Sequence, residues 1–444
     1  MNAPGVAVVG AGAAGLTAAL RAAEAGARVD LLNAHPRIGL KILMSGGTRC
    51  NVTHAEVSER DYHGGSRAFV ARLLRAFPAA KTREWFESIG VELKLEPTGK
   101  LFPVTDDAQT VLDALLGAVA KAGVKIESGA RVMRIERVPA GAGRGRFRLG
   151  IQTVRASSAF GIGAVAALRA REWPLPAVIP DRFIEADRLI LATGGLSFPR
   201  TGSDGAGYAL AAAVGHTIVP PVPALTPLAA EDPWCARLQG VAVEAELALR
   251  VDGKRGAVTR GPFLFTHFGY SGPAALDLSR HWLRAEGARE RRVTASFLPG
   301  ESAERAAAEW VRSAAAEPRL TVRRLLGARL PESLALALCE EAGIEPAALV
   351  SQVERAARAR LIERLTARPL PVSGTLGYEK AEVTAGGVEL SEVNPSTLES
   401  RVCPGLHLCG EILDVEGRLG GFNFQWAWSS GTVAGRSAAI ATHV

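Results

Sequence analysis

Hydrophobic and polar positions switch period twice within the first forty residues. VAVVG is a short buried-strand pattern, AGLTAALRAAEAG an Ala-rich amphipathic helix closed by glycine, and ARVDLLN a second strand. Such a strand, helix and strand predict a parallel sheet with a right-handed crossover. Helical periods return over 66–90 and 108–123, followed by the strand-like VKIE and ARVMRIE. The GAGRGRFRLG segment and the Ala-rich stretch to about residue 181 read as irregular, and ADRLILATGG as strand and turn. From residue 215 the texture changes to Pro- and Gly-punctuated strand patterns, and residues 301–370 are helical in character. The predicted class is α/β, a three-layer Rossmann-type domain with a mostly parallel sheet, formed by 1–214 and 371–444. A β-rich insertion (215–300) and a helical one (301–370) interrupt it.

Length and composition narrow this picture only a little. A chain of 444 residues with 48% hydrophobic and 22% charged positions is a folded, multi-unit protein. The formal charge of +7 invites an anionic partner, but the 44 arginines and eight lysines are spread along the chain without a basic run, which speaks against nucleic acid. Five cysteines with no CxxC pair and no zinc-like spacing predict a reduced, cytoplasmic protein without a metal site. The apolar N-terminus is punctuated by glycines and the uncharged stretch around 214–230 is broken by four prolines, so no membrane span is predicted.

Candidate chemistry begins at Gly10-Ala11-Gly12-Ala13-Ala14-Gly15, which follows a strand and opens a helix. The first glycine permits a tight turn, the second lets backbone approach a pyrophosphate, and the third lets helix pack on strand. The helix N-terminus then holds the phosphates. The second strand of such a unit usually ends in a carboxylate for the ribose hydroxyls; here Asn33 stands there, a weaker acceptor. Lys41-Ile42-Leu43-Met44-Ser45-Gly46-Gly47-Thr48-Arg49-Cys50-Asn51 offers backbone donors, a hydroxyl and cations at short range. Gly161-Ile162-Gly163-Ala164-Val165-Ala166 imitates GxGxxA, but no hydrophobic strand leads into it.

These motifs, with LILATGGLSFPRTGSDGAGYALA, FTHFGYSGPAAL, GYEKAEVTAGGV and GEILDVEGRLGGFNFQWAW, resemble the YhiN/BaiN-like, or aminoacetone-oxidase-like, flavoproteins over most of the chain. The resemblance implies FAD held non-covalently by a Rossmann-type domain with a β-barrel-like and a helical insertion. It places FAD on Gly10, Gly12, Ala13, Ala14, Gly15, Asn33, Lys41, Ser45, Gly46, Arg49, Cys50 and Asn51, with Val132 at the adenine. Ala192, Thr193 and Gly194 supply a turn against the cofactor. At the ring end it implies Gly410, Glu411, Gly420, Gly421, Phe422, Asn423, Gln425 and Trp426. Trp426 and Trp428 stand about 200° apart on a helix, so one faces cofactor and the other core.

Bound FAD would carry the redox chemistry, leaving the protein to orient a small organic substrate. The resemblance leaves two reactions open, oxidation of an aminoacetone-like amine and reduction of an enone-like C=C bond. His267 is the candidate acid, base or anchor, with Tyr378 and Glu379 behind it. Cys50 lacks a partner thiol and reads as packing. Neither GxSxG nor a P-loop is present. The electron donor or acceptor, O2 or NAD(P)H, is left open. The rival reading is a non-catalytic flavin-binding regulatory or interaction protein associated with RNA.

Overall fold

The computed structural model describes residues 5–138, 146–154 and 179–440. The chain divides into two compact units, one of 1–222 with 383–444 and one of 223–382. The Gly161–Ala166 string falls outside the described residues.

In the first unit β1 (Gly5–Val9), α1 (Ala13–Glu24) and β2 (Arg28–Asn33) form the predicted crossover. The helix α2 (Leu40–Thr48) follows, then β3 (Lys125–Ser128), β4 (Arg188–Leu191) and β5 (Leu406–Leu408). The sheet has the order β5-β4-β1-β2-β3, and every neighbouring pair is parallel. Its central strands bury all five residues of β1, which is why VAVV shows no alternation.

A long helix, α3 (Phe422–Ala439), lies on α1. Two glycines four residues apart make this contact close: a Cβ on Gly431 would stand 2.6 Å from the Ala14 carbonyl oxygen, and one on Gly435 2.2 Å from that of Ala18. The GTVAG spacing is the sequence signal of that crossing, unread above.

Residues Arg146–Thr153, expected to be irregular, form a strand between Ala130–Val138 and Arg182–Ala186. Phe147, Leu149 and Ile151 are buried, so RFRLGI carries a plain period of two. The alternate arginines and the glycines around it disguised that period.

The second unit holds a seven-stranded antiparallel sheet together with the helices Ala303–Ala316, Val322–Gly327, Glu332–Ala342 and Arg355–Ala367. Sheet residues such as Leu247, Phe263 and Phe265 share one core with helical residues such as Trp310, Leu334 and Leu361. The β-rich and helical stretches are therefore one body. Its edge strands, Arg368–Leu370 and Val372–Thr375, are separated only by Pro371, so the sheet must curl for both ends to meet. Residues 371–382, expected in the first unit, belong to this one, and 215–222 to the first. A buried Asp232 ties the second unit together, accepting from Tyr270 at 2.6 Å and Arg368 at 2.8 Å, with the guanidinium 3.7 Å over Trp234.

Candidate functional site

The glycine loop is shaped as its sequence requires. Gly10 has φ +103, donates to the Leu32 carbonyl at 2.8 Å, and could carry no Cβ, which would lie 2.4 Å from the Ala192 carbonyl oxygen. Gly15 sits so close to the loop that a Cβ would meet the Gly10 oxygen at 1.7 Å. Gly12 is the opposite case: nothing lies within 4 Å of its would-be Cβ, and no side chain caps α1 there. Open space before an uncapped helix N-terminus is an anion cradle.

Asn33 does more than stand in for a carboxylate. Its Oδ1 accepts from the Ala11 N–H at 3.0 Å, and its Nδ2 donates to the carbonyls of His35 (2.6 Å) and Arg37 (3.3 Å). A carboxylate could not donate either bond. The asparagine thus fixes both the phosphate loop and the 33–37 turn, and one lone pair of Oδ1 remains for a ribose hydroxyl.

The 130–138 strand shifts register between Val132 and Arg134, freeing backbone at the position matched to adenine. Close by in sequence, Arg131 pairs with the buried Asp204 at 2.6 Å. Asp204 also accepts from Ala206 at the start of the next helix.

The α2 segment is broken. Ser45 to Gly47 leave helical geometry, and Gly46, Gly47, Thr48 and Cys50 all have positive φ. Two such non-glycine residues mark a loop held in an unfavourable shape by its surroundings. Arg49 helps hold it, pairing with Glu96 at 2.7 Å and lying 4.0 Å over Phe102. Burial pushes the Cys50 thiol up to about 12, so this sulfur is no thiolate.

Lys41 emerges from the intact first turn of α2. Its Nζ is 2.7 Å from both Glu411 Oε2 and Ser197 Oγ. Ser197 and the Thr384 N–H donate to Glu411 Oε1, each at 2.9 Å, while Thr384 Oγ1 accepts from the Leu196 and Ser197 N–H groups. Three separate segments therefore fix one half-buried carboxylate, which keeps about one free lone pair of its four. Ser197 and Thr384 went unnamed above although both lie inside quoted motifs. The partners of Ser197 stand 156 to 214 residues away and those of Thr384 27 to 188, so no local spacing reveals them.

The C-terminal glycines complete the frame. Gly421, at φ +93, precedes α3, which has no side-chain cap. A Cβ there would stand 2.7 Å from Thr53 backbone and 2.9 Å from Asn51 Oδ1. Asn51 Oδ1 and Thr193 Oγ1 are buried without a hydrogen-bond partner among the described residues. Glycine-lined backbone, two uncapped helix starts and two orphaned buried oxygens fit a bound dinucleotide with hydroxyls to donate.

Other expected ligands are committed to protein. Gln425 is wholly buried, accepting from Thr53 at 2.6 Å and donating to the Phe77 carbonyl at 3.0 Å. Asn423 closes on Gly417 with two bonds of 2.8 and 2.9 Å. Trp426 donates to the Gly410 carbonyl at 3.1 Å, whereas Trp428 turns toward Phe86 and Trp85 and donates to Val52 at 2.8 Å. The two indoles take different sides of α3, and both are buried. Phe422 is buried as well, stacked on His54.

His267 belongs to the second unit, exposed at a hairpin turn beside Phe268. Tyr378 and Glu379 lie on another turn of that unit. In the first unit His216 stands 2.9 Å from Glu392 and 2.8 Å from Ser400, the order of a hydrolase triad, but the histidine and the serine are buried and Ser400 accepts from the Cys403 N–H at 2.7 Å. That chain is structural.

Compared with known proteins, residues 4–159 and 177–437 match the HI0933-like protein Rossmann domain. The chain belongs to that family. Among its relatives, a 3-dehydro-bile acid delta(4,6)-reductase of Clostridium scindens is 35% identical, covering 98% of each chain. A ribosomal RNA dihydrouridine synthase of Escherichia coli is 32% identical over 95% of each, and that of Haemophilus influenzae 31% over 95% of each. As a member of this family the protein is an FAD-dependent oxidoreductase that moves hydride, and FAD is the cofactor that the glycine-lined frame fits. No helix among the described residues is long and apolar enough to cross a membrane.

Proposed function

We propose that the protein is a reductase of carbon–carbon double bonds conjugated to a carbonyl group, rather than an amine oxidase. The observation that carries this reading is the chemistry shared by the relatives' names. A delta(4,6)-reductase of a 3-dehydro compound and a dihydrouridine synthase both saturate a C=C bond in conjugation with C=O.

When bound, FAD supplies the hydride. The residues divide between contact and support. Gly10, Gly12, Ala13, Ala14 and Gly15 would receive the diphosphate, and Glu411, held by Lys41, Ser197 and Thr384, would accept a ribityl hydroxyl. Asn51 Oδ1 and Thr193 Oγ1 would take hydroxyl or N–H partners. The α3 N-terminus at Gly421 would favour the anionic reduced ring by about 0.3 to 2 kcal/mol. Asn33, Arg49, Cys50, Asn423, Gln425 and Trp426 would shape the frame that these contacts need.

The deciding experiment mixes anaerobically reduced holoprotein with a conjugated enone and with a panel of amines, following flavin absorbance. Reoxidation by the enone, with a product two hydrogens heavier, is expected. Bleaching of oxidised flavin by an amine, with no enone reaction, would overturn the reading.

A second, narrower reading names the substrate as a uracil base in ribosomal RNA. Two full-length relatives bearing that activity favour it. Uridine-containing RNA in the same assay separates the two.

A further inference from the structure

The arginines that look scattered in the sequence are gathered by one sheet. In the second unit the strand Ala242–Val251 pairs with Lys254–Thr266 on one side and Arg291–Ser296 on the other. The registers set Arg250 directly opposite both Arg255 and Arg292. Directly opposed residues of neighbouring strands share a face, so three arginines stand in a row across about 10 Å of sheet. All three are exposed.

Lys254 and Arg291 flank Val251 in the next rank, on the sheet's other face at the same end. From Arg250 to Arg292 there are nine basic and four acidic residues, a surplus of five in a chain whose total is +7.

Part of this charge is already used within the fold. Arg292 pairs with Glu290 at 2.6 Å, and Arg291 is tied to the Trp282 carbonyl at 2.9 Å and lies over its ring. Among the described residues Arg250 has only the Gly253 carbonyl, at 3.4 Å. Lys254, Arg255 and Arg289 are exposed and have no ion pair among the described residues.

Like charges set directly opposite in a sheet repel each other. At this spacing physiological salt screens them only in part. An external polyanion relieves that repulsion. Arginine's planar fork suits phosphate, and around this row the single large exposed apolar side chain is Val258, too little to enter a lipid surface.

We infer that this end of the second unit's sheet, residues 250–255 with 289–292, docks the phosphodiester backbone of RNA. The inference extends the second reading of the function. It assigns to the sheet the sequence-independent share of binding, which positions the partner and falls with salt.

The test uses the FAD-loaded full chain and protein-free ribosomal RNA, measuring affinity between about 50 and 200 mM salt. The variant carrying Arg250→Ala, Lys254→Ala and Arg255→Ala should bind at least about tenfold more weakly at the low end and lose about 2 to 3 from the salt slope. Flavin content and the reaction with a small enone should be unchanged, which reports a folded protein. Replacing the two arginines by lysine should keep most of the slope.

An unaltered slope in the alanine variant, no RNA binding by the parent, or equal binding to phosphatidylserine vesicles would each overturn the proposal. If tip variants reduce uridine in RNA with unchanged affinity, the docking face is wrong and the substrate reading stands. If RNA binds at the tip but no uridine is reduced, the reverse holds.

Discussion

Two single positions show how much of the site depends on one atom. At position 33 an aspartate would restore the usual ribose ligand, yet it would face two carbonyl oxygens where Nδ2 now donates. Asn33→Asp should therefore cost about 1 to 3 kcal/mol in urea unfolding and bring no gain in FAD affinity; tighter FAD binding at unchanged stability would refute this. At the other end, Gly421→Val should empty the protein of flavin, because its side chain would enter Thr53 backbone and the orphaned Asn51 oxygen. Trp428→Phe should leave flavin in place and lower stability by about 1 to 3 kcal/mol, since it strips the Val52 carbonyl of its donor. Equal flavin retention, read as the visible absorbance per chain, would contradict the distinction. The glycines were legible from the sequence because their roles are local. The double duty of Asn33 was not, because its partners are a backbone N–H and backbone carbonyls that any residue could provide.

Among the elements, α3 on α1 is the most demanding contact. Gly435→Ala places a methyl group where the Ala18 oxygen already stands at 2.2 Å, so the helices must part. A loss above about 2 kcal/mol is expected, well beyond the sign of an ordinary helical Gly→Ala change, which stabilises by about 1 kcal/mol. Chemical denaturation of the variant checks it, and a neutral or stabilising result would mean that the helices have room. The strand Arg146–Thr153 teaches the complementary lesson. Its period of two was present, but glycines and alternate arginines resembled a loop, and only pairing on both sides with other strands explains why those residues extend. The carboxylate frame around Glu411 was legible only in part: Lys41 and Glu411 were singled out, while Ser197 and Thr384 needed the fold to bring them together.

At the scale of the whole molecule, buried histidines set a pH dependence. Burial lowers His407 to about 4, with Arg188 contributing, and lowers His281 to about 4 as well. The unfolded groups titrate near 6.5, so between 6.5 and 4 the unfolded chain binds more protons and stability falls as pH falls. His407 alone should withdraw about 3 kcal/mol by the bottom of that window. Urea midpoints measured from neutral pH downward should show the decline, and His407→Leu should remove much of it; an unchanged slope in that variant would clear the histidine. The order of the chain has its own consequence. The first unit is assembled from residues on both sides of the second, so a ribosome that has reached residue 382 has synthesised a whole second unit and an unfinished first. Completing α3 takes roughly a further 3 to 11 s of synthesis at ordinary rates. During that interval the small-residue face of α1 is bare, and nascent chains are open to capture by chaperones before any cofactor can be enclosed.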